Sequence, residues 1–222
     1  SERAAREAGY AAESALLFSP DHATYYPGAK NMTLKVVFDR ADGRILGAQA
    51  VGFGGTEKRI DVLATAIRAG FTAEELTELD LCYAPPYSSA KDPVNMAGYV
   101  IGNILRGTVR QHTWKDVEKL ADDENALFLD VQTRGEYDAA HLAGAINIPV
   151  DELRGRMNEL DKGKTIYVNC YSGLRSYIAC RMLSANGFKC SNLAGGIRFY
   201  KVVAEGGAYD EVSRHLCGMA NV

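Results

Sequence analysis

Thr165-Ile166-Tyr167-Val168-Asn169-Cys170-Tyr171-Ser172-Gly173-Leu174-Arg175-Ser176 decides how the second half of the chain is read. A short apolar strand delivers Cys170 into a tight polar loop, and the loop opens a helix whose inner face is expected to carry Leu174, Ile178 and Met182. This order of parts suits a thiolate. Successive loop N–H groups can point at the sulfur, a helix N-terminus adds partial positive charge, and Arg175 adds a full one. Four residues separate Cys170 from Arg175, and Asn169 precedes the cysteine. A phosphate cradle of the Cys-dependent phosphatase type has five residues there and commonly a His before the Cys. The smaller ring suits a sulfur atom, so the stretch reads as a persulfide carrier and a phosphatase is disfavoured. A free Cys is most often a core residue, but the attached loop outweighs that reading.

Working outward, Leu127-Phe128-Leu129-Asp130 and Ala145-Ile146-Asn147-Ile148 are further short apolar strands separated by helical stretches. Such alternation predicts an α/β domain with a parallel sheet, in which ligands collect at the carboxyl ends of the strands. Thr113-Trp114-Lys115-Asp116 fits a capping box that starts this domain. The first half reads differently. Leu34–Phe38 and Ile45–Val51 flank Asp42-Gly43, a hairpin signal, and Glu13–Ser19 offers a third strand. Ile60, Leu63, Ala64 and Ile67 form a helical stripe, a short helix is expected over Ala73–Leu79, and Asp92-Pro93 heads a helix carrying Val94, Ala97, Ile101 and Leu105. That is an α+β domain: an antiparallel sheet covered by helices. The expected organisation is a first domain over 1–107, a linker over 108–112, a second domain over 113–204 and a tail over 205–222.

The 222 residues are 47% hydrophobic and 24% charged, enough for one large or two small domains, with a net charge of −3. Neither half is basic, so no nucleic-acid footprint is expected. No apolar run approaches the roughly 20 residues of a membrane span and no signal core opens the chain, so a cytoplasmic protein without membrane contact is expected. The start at Ser1, without Met, reads as part of a longer protein. The five cysteines, Cys82, Cys170, Cys180, Cys190 and Cys217, have no metal-knuckle or thioredoxin spacing, so no metal site is expected and one reactive thiol is. Cys82, Cys180 and Cys190 read as structural; Cys217 is open.

Residues 113–204 resemble a single rhodanese domain. The resemblance rests on Leu129–Tyr137, His141–Pro149, the Cys170 loop and Leu193-Ala194-Gly195-Gly196-Ile197 together. Gln132 stands where the family usually has Arg, and Ala140 where it usually has Gly. The resemblance implies that Cys170 accepts a sulfane sulfur and passes it to a nucleophile. Tyr171, Ser172, Gly173, Leu174 and Ser176 then contribute the substrate-binding loop, and Arg175 serves as its catalytic cation. Asp130, Glu136 and His141 are expected to hold the domain together.

Tyr25-Tyr26-Pro27-Gly28 and Leu81–Pro93 are dense in Tyr and Pro, which suits either loop packing or contact with a ligand or subunit. Residues 1–107 resemble the C-terminal dimerisation domain of FAD-dependent pyridine nucleotide-disulfide oxidoreductases, and Tyr83–Asn95 resembles the branch with coenzyme A-disulfide reductase and NADH oxidase. The resemblance implies a homodimer in which Tyr25 and Tyr83, with Tyr26 and Tyr87 as rivals, reach a coenzyme A disulfide at the partner subunit's active site. The whole chain is then similar to the C-terminal part of a coenzyme A-disulfide reductase and rhodanese fusion, also described as an NADH-dependent persulfide reductase. FAD, NAD(P)H and coenzyme A are implied for such a parent and none for this piece alone, since the nearest approach to GxGxxG, Gly52–Glu57, has Glu in the third glycine's place. Persulfide, polysulfide or coenzyme A disulfide is the implied substrate class. The alternative is a non-catalytic dimerisation and partner-binding module.

Overall fold

Three β-prone runs build the first sheet, the central one buried along nearly its whole length. The computed structural model describes residues 1–204, and the expected tail over 205–222, with Cys217, lies outside the described residues. After a short helix α1 (Glu2–Glu7), strands β1 (Ala12–Pro20), β2 (Asn31–Asp39) and β3 (Ile45–Gly52) form an antiparallel sheet in sequence order. The central strand β2 buries Met32, Leu34, Val36, Val37 and Phe38. Gly43, at φ 78°, supplies the left-handed residue that the β2–β3 turn needs. Helices α2 (Thr56–Ala69), α3 (Ala73–Glu78) and α4 (Pro93–Leu105) complete the unit that contains the first 106 residues.

The caps explain where the helices start. Thr72 accepts from the Glu75 N–H while the Glu75 carboxylate accepts from the Thr72 N–H, and Asp92 and Asn95 do the same for α4 with Pro93 in the first turn. The stripe of α4 buries Val94, Ala97 and Ile101 as expected, with Ile104 rather than Leu105 at its end. That of α2 departs further: its buried residues are Arg59, Leu63 and Ala66, while Ala64 is exposed. A buried arginine in the first turn rotates the inner face away from the purely apolar stripe.

The second unit begins at Gly107. Its elements are β4 (Gln111–His112), α5 (Trp114–Ala121), β5 (Ala126–Asp130), α6 (Arg134–Ala139), β6 (Ile146–Asn147), α7 (Leu153–Arg156), β7 (Thr165–Asn169), α8 (Leu174–Ala185), β8 (Lys189–Leu193) and α9 (Gly196–Ala204). The strands form a parallel sheet in the order β4-β8-β7-β5-β6. Part of the expected 108–112 linker is therefore sheet, because Gln111 and His112 pair with Asn192 and Leu193. Val117, Phe128, Leu142, Ala145, Leu193 and Ile197 pack as one core cluster. Helix α8 departs from its expected face. Arg175, Ser176, Ala179, Cys180 and Leu183 are buried, whereas Leu174 is 51% and Ile178 44% exposed. Small side chains let α8 lie close on the sheet, and its larger aliphatic side chains turn outward.

Candidate active site

Cys170 follows directly on β7, and its side chain is fully buried within this chain. The Gly173 N–H donates to Cys170 Sγ at 3.2 Å and the Ser176 hydroxyl donates to it at 3.3 Å. Gly173 is the N-cap of α8 with φ 100°, a backbone that a side chain rarely adopts, so the glycine is what turns its N–H inward to the sulfur. The loop is fastened from below by α9. Ile197 N–H donates to the Cys170 carbonyl at 2.9 Å and Arg198 N–H to the Tyr171 carbonyl at 3.1 Å. Gly196 makes this approach possible: at φ 65°, a Cβ there would meet the Cys170 and Tyr171 carbonyl oxygens at 2.5 Å and the Ser172 nitrogen at 2.7 Å.

Charge around the loop is paired. Arg175, on the first turn of α8, places its two terminal nitrogens on the two Glu136 oxygens at 2.7 and 2.8 Å, a bidentate pair linking α8 to α6. Burial opposes ionisation of Glu136, but the Arg175 hydrogen bonds and those from Thr133 override it and hold the carboxyl at about 2. Beneath the strand ends, the fully buried Asp130 accepts from Gln132 N and Nε2 at 2.8 and 3.0 Å and from Asn169 Nδ2 at 2.7 Å. Gln132 also donates to the Ala140 carbonyl at 3.1 Å. Burial raises the Asp130 carboxyl, and these neutral donors offset that only in part.

The first unit holds a second constellation. Tyr25 and Tyr83, 58 residues apart, share a hydrogen bond between their hydroxyls at 2.9 Å, which raises the Tyr25 phenol. Tyr25 is 74% and Tyr87 71% exposed, and Tyr26 and Tyr83 are also exposed. The loops that bear them are tied together: the Ala23 N–H donates to the carbonyls of Pro85 and Ser88 at 3.3 and 3.1 Å. Behind them sits Arg59, 1% exposed, which donates to both Asp92 oxygens at 3.2 and 2.8 Å, to the Asp21 carbonyl at 2.6 Å and to Gly55 O at 3.1 Å. Ser88 Oγ donates to the same Asp92 carboxylate at 2.7 Å. Asn95 fixes the end of α3 through the Leu76 and Leu79 carbonyls, both at 3.0 Å.

Two sequence families match these two units in tandem. The rhodanese-like domain family covers residues 113–201, and the pyridine nucleotide-disulphide oxidoreductase dimerisation domain family covers residues 1–93. The chain carries both domains. A coenzyme A disulfide reductase of Staphylococcus haemolyticus is 53% identical over 83 residues, which is 37% of this chain and 19% of that protein. The crystal structure of reduced Bacillus anthracis CoADR-RHD matches 93% of this chain and 37% of its own at 40% identity, with a TM-score of 0.89. An NAD-dependent persulfide reductase from A. fulgidus matches 90% of this chain and 36% of its own, also at 40% identity, with a TM-score of 0.80. The chain therefore spans about a fifth of the curated relative and somewhat over a third of each solved one. It resembles their dimerisation and rhodanese region.

In the rhodanese-like domain, the structure brings Cys170, Gly173 and Ser176 together, while Leu174 stands at the exposed start of α8. Arg175, expected as the loop's cation, has its guanidinium paired with Glu136. The geometry of Glu136 and Asp130 is that of residues holding elements together. His141 joins them by stacking on Tyr137, with ring centroids 4.0 Å apart. In the dimerisation domain, Tyr25 and Tyr83 meet as a pair. Cys82, expected as structural, is exposed and lies between α3 and Tyr83 in sequence. The glycines of the Gly52–Glu57 turn serve internal packing: a Cβ at Gly52 would meet Met32 and one at Gly55 would meet Arg59 and Asp21. Sequence reasoning missed Arg59, and the one signal available was an arginine on the inner side of an amphipathic helix. Among the described residues, no group of three or more His, Cys, Asp or Glu is placed to hold a metal ion, and no helix is long and apolar enough to cross a membrane.

Proposed function

We propose that this chain carries sulfane sulfur on Cys170. The observation that carries this reading is the pair of donors on Sγ, the Gly173 N–H and the Ser176 hydroxyl, at the start of α8. Both stabilise a thiolate and, afterwards, the anionic persulfide. The thiolate attacks the outer sulfur of a persulfide R–S–SH; the S–S bond breaks, RS⁻ leaves and takes up a proton, and Cys170 holds an S–SH group. A nucleophile then removes the outer sulfur and the thiolate returns. Arg175 contributes by position: its pair with Glu136 fixes the first turn of α8, and so the direction of the donors, without spending its charge on the donor molecule.

The dimerisation domain supports a second part of the reading. In a longer protein like the coenzyme A disulfide and persulfide reductases it resembles, two such domains associate as a homodimer, and the exposed Tyr25 and Tyr83 pair faces a coenzyme A disulfide or its products at the partner subunit's active site. FAD and NAD(P)H belong to parts of that protein other than these residues. A cytoplasmic setting follows from the reducing chemistry. Sulfur transfer from thiosulfate or polysulfide to cyanide tests the carrier. Cys170→Ala is expected to abolish thiocyanate formation, and equal rates in both proteins would remove the assignment.

A further inference from the structure

Arg175 is buried, and both of its terminal nitrogens lie on the Glu136 carboxylate, at 2.7 and 2.8 Å. Each partner cancels the other's charge. A second carboxylate draws on the same cation: Asp130 is buried, takes its hydrogen bonds from the uncharged Gln132 and Asn169, and feels the Arg175 charge besides. Of the other arginines on the neighbouring elements, Arg134 pairs with Asp138 at 3.2 Å. Arg198 is buried and meets the loop through its backbone N–H, on the Tyr171 carbonyl.

What the loop itself offers a donor is uncharged. Tyr171, Ser172, Gly173 and Leu174 carry no charge, and the Gly173 N–H and Ser176 hydroxyl reach the sulfur as dipoles. The exposed side chains at the start of α8 are apolar, Leu174 and Ile178, one helical turn apart. A guanidinium recognises an oxyanion best through two parallel N–H bonds, and here Glu136 occupies that fork. A dianion entering such a site gives up water without gaining a counter-charge.

We propose that Glu136 sets the donor class of the Cys170 site: by holding the Arg175 guanidinium it selects against thiosulfate, whose leaving group is a dianion, and in favour of sulfane donors with a less charged leaving group, such as thiosulfonates and alkyl persulfides. The proposal rests on the reading of Cys170 as a sulfur carrier. Glu136 acts through Arg175 and touches no donor.

Thiosulfate and methanethiosulfonate are the probes, because each presents a terminal sulfur bonded to a sulfonyl sulfur. With either, the Cys170 thiolate attacks the terminal sulfur, the bond to the sulfonyl sulfur breaks, and its electron pair leaves with sulfite or methanesulfinate. Cys170 keeps a persulfide anion, from which cyanide removes the outer sulfur as thiocyanate and restores the thiolate. kcat/KM for each donor is taken from thiocyanate formation near pH 8 with the protein-free background subtracted. Each protein is judged by its own ratio of the two values, which partial unfolding leaves unchanged. Glu136→Gln should raise the ratio of thiosulfate to methanethiosulfonate about tenfold, as the charged donors of Arg175 become available to the sulfonate. Adding Arg175→Gln to that variant should lose the gain. A ratio that moves by less than about twofold in Glu136→Gln, or a gain that survives the loss of Arg175, would overturn the proposal while the carrier stands. So would a chain that turns over polysulfide but neither probe. A chain that forms no thiocyanate from any of the three overturns the carrier reading, and the proposal with it.

Discussion

The Cys170 loop and the tyrosine loops solve opposite problems. The first withdraws its sulfur: Sγ is buried, donors come from within the next six residues, and the loop carbonyls are tied to α9. The second pushes its side chains out, with Tyr25 and Tyr87 largely exposed, and hides the apparatus that holds them. A site complete in one chain needs inward backbone donors. On the proposed reading, tyrosines that meet another surface need loops held from behind, and Arg59 with Asp92 holds these.

The comparison can be broken from the tyrosine side first. Arg59→Met leaves the Asp92 carboxylate, 2% exposed, without its main cation, and is expected to destabilise the dimerisation domain by about 3–5 kcal/mol. Urea unfolding checks it, and the transition of the rhodanese-like domain should not move. From the other side, Gly196→Ala drives a Cβ into the loop backbone at 2.5 Å and is expected to cost about 3 kcal/mol and to weaken sulfur transfer in parallel.

Glu136→Gln sharpens the contrast through pH. The folded carboxyl sits at about 2, below its ordinary 4.5, so its contribution is full above 4.5 and is lost as pH falls from there towards 2. Discounted for partial exposure, that contribution is about 1–2 kcal/mol at neutral pH. The variant should therefore melt lower than the parent chain at pH 7 and approach it near pH 2.5, as read by calorimetry. The smallest effect is expected for Tyr83→Phe. It removes the Tyr25 hydrogen bond, so the Tyr25 phenol should titrate lower in ultraviolet absorbance while the melting temperature stays unchanged.

Local signals made much of this legible. Asp42-Gly43 marked the hairpin, Asp92-Pro93 the start of α4, and Cys170 to Arg175 the loop and the helix after it. What stayed hidden was non-local. Arg59 meets Asp92 across 33 residues and Arg175 meets Glu136 across 39, and no periodicity reports such pairings. The apolar stripe at Leu174, Ile178 and Met182 misled because hydrophobicity alone does not say which side of α8 has the small residues needed for close approach to a sheet. β4 is hidden within the 108–112 stretch because two residues carry too little pattern to show a strand, although their pairing with β8 extends the sheet.

The most direct measurement is the intact mass of the chain after brief exposure to polysulfide and removal of the excess, with cyanide added to a second portion. Sulfur carriage on Cys170 predicts one added sulfur atom, mapped to the Cys170 peptide, lost to cyanide with release of thiocyanate and absent from Cys170→Ala. A chain whose Cys170 peptide never gains sulfur, or whose Cys170→Ala variant releases thiocyanate equally fast, would contradict it.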